Sequence, residues 1–284
     1  MKPGTFRLIG LGLALTVSGA LAPAGDAAAG EVLDRVMKTK TLTMSSDPAY
    51  PPQSFLNDKN EFEGFDIDVG REIATRLGAE LKIVTPAWEV ITAGNWGSRW
   101  DISVGSMTPT SQRARVLDFP AIYYFTPASF AVHKDSKAQS LADLNGKVIG
   151  VCGGCTYEAY LRKDLKIDAE GVPPFDFKVE AKEIRTYETD TNALDDLKLG
   201  DGKRLDAVMS ALPTLNEAIK HGYPLRVLGE PAYYEPLAVA IGKGDPEFNA
   251  KVAEIVKAMH EDGTLTKLSQ KWYGVDLTRA KTGS

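Results

Sequence analysis

Cysteine and histidine are scarce in this chain, with two of the first and three of the second among 284 residues. Two cysteines cannot build a disulfide scaffold, and His133, His221 and His260 are spaced too widely for a zinc-ligand pattern. Positive charge is not in excess either: 33 Lys and Arg face 38 Asp and Glu, a formal charge of −5. That balance argues against general nucleic-acid binding, which leans on basic residues. No long apolar run is present. The longest, residues 8–21, has 14 residues, about 21 Å of helix against a hydrocarbon core of roughly 30 Å. What is there is globular in kind, 43% hydrophobic and 25% charged. Such a chain is neither disordered nor collagen-like, and it is long enough for one large domain or two.

The short apolar run has a different meaning. Lys2 and Arg7 give it a positive flank, and Ala27-Ala28-Ala29 supplies the small residues of a signal-peptidase site. Residues 1–29 are therefore expected to be a signal peptide cleaved before Gly30, leaving 255 residues. Losing Lys2, Arg7 and Asp26 moves the formal charge from −5 to −6. No cysteine directly follows the run, so no lipid anchor is expected at the new N-terminus.

Beyond Gly30, short β-like runs alternate with amphipathic helices, which predicts βαβ units on a mostly parallel sheet. Strands are expected at 41–45, 81–84 and 100–104. Phe65, Val69, Ile73 and Leu77 mark one helix face, with Gly78 as its stop. Pro48, Pro51 and Pro52 predict a loop over 47–52 with neither strand nor helix. The rhythm restarts with a strand at 147–151, a small-residue turn and a helix over 156–165. Strands at 184–187, 205–209 and 237–241 and a helix over 192–199 follow. A last helix opens at Pro246 with Phe248, Val252, Ile255, Val256 and Met259 on one face. Ligands of open α/β sheets bind at the carboxyl ends of strands. The segments 47–52, 105–113 and 152–157 all lie at such ends.

Those segments carry suitable chemistry. Ser106 and Thr108 offer hydroxyls, and Arg113 a planar fork of donors that fits a carboxylate; a capped helix with a solvated Arg is the alternative. The turn Cys152-Gly-Gly-Cys-Thr-Tyr-Glu158 could bind an anion through backbone N–H groups at a helix start, or serve only as a connector. Tyr50 and Trp88 could clamp a ligand side chain or pack as core. Asp47 could meet a cationic group or cap the next turn.

The motifs Asp47-Pro-Ala-Tyr-Pro-Pro, Phe62-Glu-Gly-Phe-Asp-Ile-Asp68 and Trp100-Asp-Ile-Ser-Val-Gly-Ser-Met-Thr-Pro-Thr-Ser-Gln-Arg113 follow one another in order. With Leu144-Asn-Gly-Lys-Val-Ile-Gly-Val151, Arg204-Leu-Asp-Ala207 and Asp262-Gly-Thr-Leu265 near Lys271-Trp-Tyr273, they span nearly all of the exported chain. The sequence resembles the periplasmic solute-binding proteins of ABC importers, bacterial extracellular family 3, in the branch for polar amino acids. The resemblance implies a periplasmic α/β protein of the two-lobed binding-protein type (type II), with two crossing hinge strands near 126–129 and 235–238. Lobe 1 would hold residues 30–127 and 237–284, and lobe 2 residues 128–236. Arg113 would hold the ligand carboxylate with Ser106, Thr108 and the backbone at Thr156, beside Cys155. Tyr50 and Trp88 would flank the ligand side chain, Asp47 would meet a cationic group, and the Gly105 carbonyl would accept from the ligand ammonium. The implied partners are a small polar carboxylate or amino acid and the membrane permease subunits, with a monomeric chain, no nucleic acid, no metal and no cofactor.

Two departures stand out. Ala211 occupies the place where amino-acid binders of this type carry an Asp for the α-ammonium, leaving Ser210, Glu158 or Asp190 as substitutes. The other is the Cys152/Cys155 pair itself. In an oxidising compartment a disulfide is expected, with free ligand-contacting thiols and a thioredoxin-like redox pair as alternatives. Two further functional classes fit the same resemblance. One is a periplasmic dehydratase of prephenate-like acids, with Glu158 as its general acid; the other is a ligand-sensing accessory protein.

Overall fold

The computed structural model describes Met1, residues 30–169 and residues 172–280. The expected signal peptide, Met1 apart, lies outside the described residues. The chain enters at α1 (Glu31–Thr39) and β1 (Thr41–Ser45), and a small antiparallel sheet follows: β2 (Ala49–Tyr50), β3 (Ser54–Leu56) and β4 (Phe62–Glu63). Next come α2 (Phe65–Arg76), β5 (Glu80–Val84), α3 (Trp88–Thr92), β6 (Ile102–Met107) and the long β7 (Leu117–His133). A second cycle holds β8 (Val148–Cys152), α4 (Thr156–Leu161), β9 (Glu183–Tyr187), α5 (Asp190–Leu197), β10 (Ala207–Ala211) and α6 (Leu212–Lys220). The long β11 (Leu225–Gly242), α7 (Pro246–Glu261) and α8 (Thr264–Tyr273) close the chain.

Eight strands form one curled sheet in the order β5-β1-β6-β11-β7-β10-β8-β9. The flanks are parallel and the middle is antiparallel. The expectation of a mostly parallel sheet holds for the flanks only. The two central strands reverse because they connect the lobes instead of belonging to a βαβ unit. β7 and β11, of 17 and 18 residues, pair from Leu117 opposite Gly242 to His133 opposite Leu225, with register shifts on both sides of Tyr233 to Leu237.

Apolar burial is split on either side of this crossing. One core joins Leu42, Met44, Phe65, Ile73, Ile102 and Tyr123 to Val239, Phe248, Val252 and Met259 from the chain's end. The other side holds Phe130, Ile149, Tyr160, Met209 and Tyr233, and a smaller cluster of Leu194, Leu197, Val208 and Leu215. The molecule is a two-lobed α/β protein.

Local sequence explains many of the elements. The N–H groups at the start of α7 are met by Asp245, which accepts from Phe248 N–H over 2.8 Å, and Pro246 opens the helix where no N–H is needed. The same carboxylate accepts from Val32 N–H over 2.8 Å, tying the first helix to the last third of the chain. In α2, Gly70 lies against β1; a Cβ there would stand 2.3 Å from Met44 Sδ and would push that side chain aside. The two cycles share one device. Asp101, just before β6, accepts from Thr43 N–H, and Asp206, just before β10, accepts from Val148 N–H, each over 2.8 Å. In both lobes a carboxylate thus anchors the neighbouring parallel strand.

Several expectations need correction. Residues 49–50, expected as loop, form β2, with Ala49 opposite Phe55 and Tyr50 opposite Ser54 of β3. The strand expected at 100–104 starts at Ile102. Trp100 turns instead into a cluster with Trp96 and Ile91. The helix expected over 156–165 ends at Leu161, where Arg162 caps it and Lys163 turns to φ 62°. No full helix follows Gln112, only a single 3-10 turn at Arg113–Arg115.

Candidate functional site

Seven of the nine expected ligand-binding residues meet in one small cavity: Tyr50, Trp88, Ser106, Thr108, Arg113, Cys155 and Thr156. Tyr157, Asp190 and Glu235 complete its lining. Only about 30 Å³ is enclosed, enough for a single water and far too little for an amino acid. The walls are closed on one another, so any larger guest requires them to part.

Arg113 is held by backbone carbonyls on both sides of the cleft. Its Nη1 donates to the Thr108 carbonyl and its Nη2 to the Gly154 carbonyl, each over 2.9 Å. The guanidinium lies 5.2 Å from the centroid of the Trp88 ring, a cation–π contact. Trp88 Nε1 also donates to the Gly154 carbonyl, over 3.3 Å. One carbonyl therefore receives two donors from the other lobe. Gly154 can present it because the residue is at φ 70°, where a side chain would be strained. Burial pulls the guanidinium down to about 10, while the negative charge of Glu235 acts in the opposite direction. At neutral pH it remains a cation.

Facing Arg113 is a carboxylate that the sequence reading did not single out. Glu235, in β11 and only 2% exposed, accepts from Thr108 Oγ1 and Thr156 Oγ1 at Oε2, both over 2.7 Å. Tyr157 OH donates to Oε1 over 2.9 Å, and Tyr50 OH lies 3.4 Å from Tyr157 OH. Burial raises the carboxyl of Glu235, offset in part by the three hydroxyl donors and the Arg113 charge. One signal in the sequence could have marked it: a lone acidic residue within the aromatic and apolar run of a crossing strand.

Asp190, first residue of α5, is 5% exposed, and its Oδ1 has no hydrogen-bond partner among the described residues. Burial pushes its carboxyl up to about 7 against a hydrogen bond from Ser210, and the nearby charges of Asp47 and Glu235 add to the rise. Of the three substitutes weighed for the missing Asp at position 211, this is the one on the cavity wall. Glu158 faces outward, accepting from Gly154 N–H over 2.8 Å and pairing with Arg162. Ser210 is buried in β10 and does not line the cavity.

Ser106 reaches the wall in a strained backbone, at φ 52°. Its Oγ donates to the buried Asp66 over 2.7 Å and contacts Tyr124 OH, while its N–H donates to Tyr123 OH over 2.9 Å. Tyr123 OH in turn donates to Asp66 over 2.7 Å. Asp66 is fully buried, and burial pushes its carboxyl up to about 7 against the donation from Tyr123 and Ser106. Ser106 is thus fixed from behind by a network in the first lobe.

Two expected residues are not on the wall. Asp47 accepts from Ala49 N–H over 2.7 Å, the turn-capping role that was its alternative. Gly105 sits beside Trp88, with a notional Cβ 3.9 Å from Trp88 Cζ3. Cys152 and Cys155 are joined in a disulfide with Cα atoms 5.6 Å apart, an ordinary spacing. It ties the end of β8 to the residue before α4. The two sulfurs and an Asp190 oxygen lie within 4.8 Å of one another, but sulfurs bonded to each other offer no thiolate to a metal.

Fold and cavity define a two-lobed solute-binding protein. The chain belongs to the family Bacterial extracellular solute-binding proteins, family 3, whose sequence profile matches residues 42–275. It is 29% identical over 251 residues to the L-cystine-binding protein TcyJ of Escherichia coli strain K12, covering 87% of this chain and 88% of that one. It is 28% identical over 247 residues to the L-arginine-binding protein of Pseudomonas aeruginosa, covering 84% and 90%. Among solved structures it is similar to the ancestral amino acid-binding protein AncCDT-1, a precursor of cyclohexadienyl dehydratase. That match has a TM-score of 0.73 and 31% identity, over 85% of this chain and 99% of the other. Among the described residues no helix is long and apolar enough to cross a membrane.

Proposed function

We propose that this protein captures a small amino acid in the periplasm and delivers it to the permease subunits of an ABC importer. Export would follow from the expected signal peptide over residues 1–29, and the chain would act as a monomer. The lobes would be residues 30–127 with 237–284, and residues 128–236, hinged where β7 and β11 cross. Ligand favours the closed form because only that form contacts it from both sides. The observation that carries the reading is a cavity closed between the two lobes and lined by both signs of charge, Arg113 facing Asp190 and Glu235. A zwitterion needs both. Small-angle scattering of the purified protein against a panel of amino and organic acids tests it. Compaction with at least one amino acid is expected, and a radius unchanged across the whole panel overturns the proposal.

One observation favours a second reading, a dehydratase of prephenate-like acids: the similarity to AncCDT-1, described as a precursor of cyclohexadienyl dehydratase. Glu158, the acid first considered for that chemistry, faces away from the cavity. Glu235, whose carboxyl burial raises, is the better-placed proton donor. Turnover of prephenate or arogenate, lost in Glu235→Gln, would establish this reading. Its absence with both substrates would leave capture alone.

A further inference from the structure

The end of β8 and the start of α5 bring together three groups with metal-ligand chemistry. Cys152, Cys155 and Asp190 each place one atom, a sulfur or a carboxylate oxygen, within 4.8 Å of the other two. Two cysteines separated by two residues have the spacing with which zinc sites present a pair of thiolates. Ligands about 2.0–2.3 Å from one Zn²⁺ in a tetrahedral array stand roughly 3.3–3.8 Å apart. Small side-chain rotations therefore suffice once the sulfurs are no longer bonded to each other. Asp190 is buried, and its Oδ1 has no hydrogen-bond partner among the described residues. A buried polar atom left without a partner is costly and calls for an explanation. A cation beside that carboxylate supplies one.

We infer that Cys152, Cys155 and Asp190 form a Zn²⁺ site when the disulfide between the two cysteines is reduced. A dithiol supplies the two electrons: its two S–H groups become a disulfide, the Cys152–Cys155 bond breaks, and each cysteine gains one proton. Zn²⁺ then displaces the two thiol protons and binds both thiolates and the Asp190 carboxylate. Two thiolates with one carboxylate suit zinc, whereas magnesium and calcium take oxygen ligands. Water supplies the fourth ligand. Cys155 and Asp190 both line the inter-lobe cavity, whose 30 Å³ holds a single water. The reductant has its own approach, because the partly exposed Cys155 also lines an open pocket of about 550 Å³ shared with Arg113, Gly154 and Arg162. All three ligands lie on the β8 to β10 side of the β7–β11 crossing, so the site needs no closure of the lobes and stands apart from the capture reading.

Co²⁺, a coloured stand-in for zinc, tests this in the exported chain reduced with a phosphine and kept free of oxygen. Circular dichroism on the same samples checks that each remains folded. The reduced chain is expected to show the near-ultraviolet charge-transfer absorption of thiolate-to-cobalt bonds, abolished when Zn²⁺ is added, and the oxidised chain to show none. Calorimetric titration with Zn²⁺ should give one site per reduced chain. Asp190→Asn should weaken that site by at least about tenfold while the charge-transfer absorption remains. If Asp190→Asn does not fold, Asp190→Glu supplies the readout, because a changed carboxylate should shift the visible ligand-field bands of bound Co²⁺. A folded, reduced chain without charge-transfer absorption overturns the site. So does Zn²⁺ bound as tightly by the double variant Cys152→Ser, Cys155→Ser, which would place the metal elsewhere. Zn²⁺ affinity unchanged in Asp190→Asn, or ligand-field bands unchanged in Asp190→Glu, overturns the part assigned to Asp190.

Discussion

Thr108 and Thr156 donate to the same oxygen of Glu235, each over 2.7 Å. Thr108 follows β6 and Thr156 opens α4, so the two hydroxyls come from different lobes and meet on a hinge-strand carboxylate. The closed arrangement is therefore stitched through the hinge as well as across the mouth, where Arg113 and Trp88 reach the Gly154 carbonyl. A hydrogen bond to a charged acceptor contributes about 1.5–3 kcal/mol. Thr156→Val keeps the shape of the side chain and removes one donor. It should shift the ligand-free protein toward the open form, seen as a larger radius of gyration by scattering. An unchanged radius would mean that Glu235 does not hold the lobes together.

Arg113→Ala removes the cation from the cavity and one of the two donors to the Gly154 carbonyl. Both are features of the closed form, so ligand affinity should fall by at least about 100-fold, a loss of ~3 kcal/mol. The ligand-free melting temperature should move by less than ~4 °C, because no apolar core is disturbed. Calorimetry and a thermal melt of the same preparation check both halves. A large stability loss with affinity intact would make Arg113 a structural residue.

Much of this architecture is legible in the sequence because it is local. The 3.6-residue period of Phe248, Val252, Ile255 and Met259, with Pro246 at its start, specifies α7, and the apolar alternation of residues 41–45 specifies β1. Arg113 and its neighbours are recognisable because strand end, hydroxyls and guanidinium lie within nine residues. Glu235 is not legible in that way. Its partners Thr108 and Thr156 are 127 and 79 residues away, and only the fold brings them together, with Met107 of β6 opposite Ala238 of β11. The same holds for Asp190, one of three equal candidates until the fold turned Glu158 outward. Asp47 shows a further ambiguity, since a capping carboxylate and a ligand carboxylate look alike in sequence.

Asp66 gives a pH dependence with a defined sign. Its carboxyl is raised from 3.8 to about 7 by burial, so the folded state holds a proton that the unfolded state releases. Stability from that proton is complete below pH 3.8 and is lost as pH rises through about 7. Asp190 behaves in the same direction over the same window. The depressed carboxyls of Asp262 and Asp276 act oppositely and only below pH 4. A shift of this size corresponds to ~4 kcal/mol, on the order of 10 °C for a chain of this length. The ligand-free melting temperature should therefore fall between pH 4.5 and 7.5. Asp66→Asn should flatten that slope without abolishing it, because Asp190 remains. A slope identical to that of the unaltered protein would show that Asp66 is ionised in the fold across the whole range.

The disulfide should act on binding more than its size suggests. Closing so short a loop stabilises the fold by about 2 kcal/mol in the chain-entropy account, or ~4–8 °C in melting temperature for this length. Yet the turn it closes carries Gly154, whose carbonyl receives both Trp88 and Arg113, and Thr156, whose hydroxyl reaches Glu235. Freeing that turn loosens two contacts between the lobes, from Trp88 and Arg113 to the Gly154 carbonyl, and the bond from Thr156 to the hinge-strand Glu235. Cys152→Ser with Cys155→Ser should therefore lower ligand affinity by at least about tenfold, beyond the modest loss of stability. Reduction of the unaltered protein should reproduce the affinity loss, and reoxidation should restore it. If titration gives equal affinities for the oxidised and reduced forms, the Gly154 turn is held by its neighbours in the fold and the disulfide contributes stability alone.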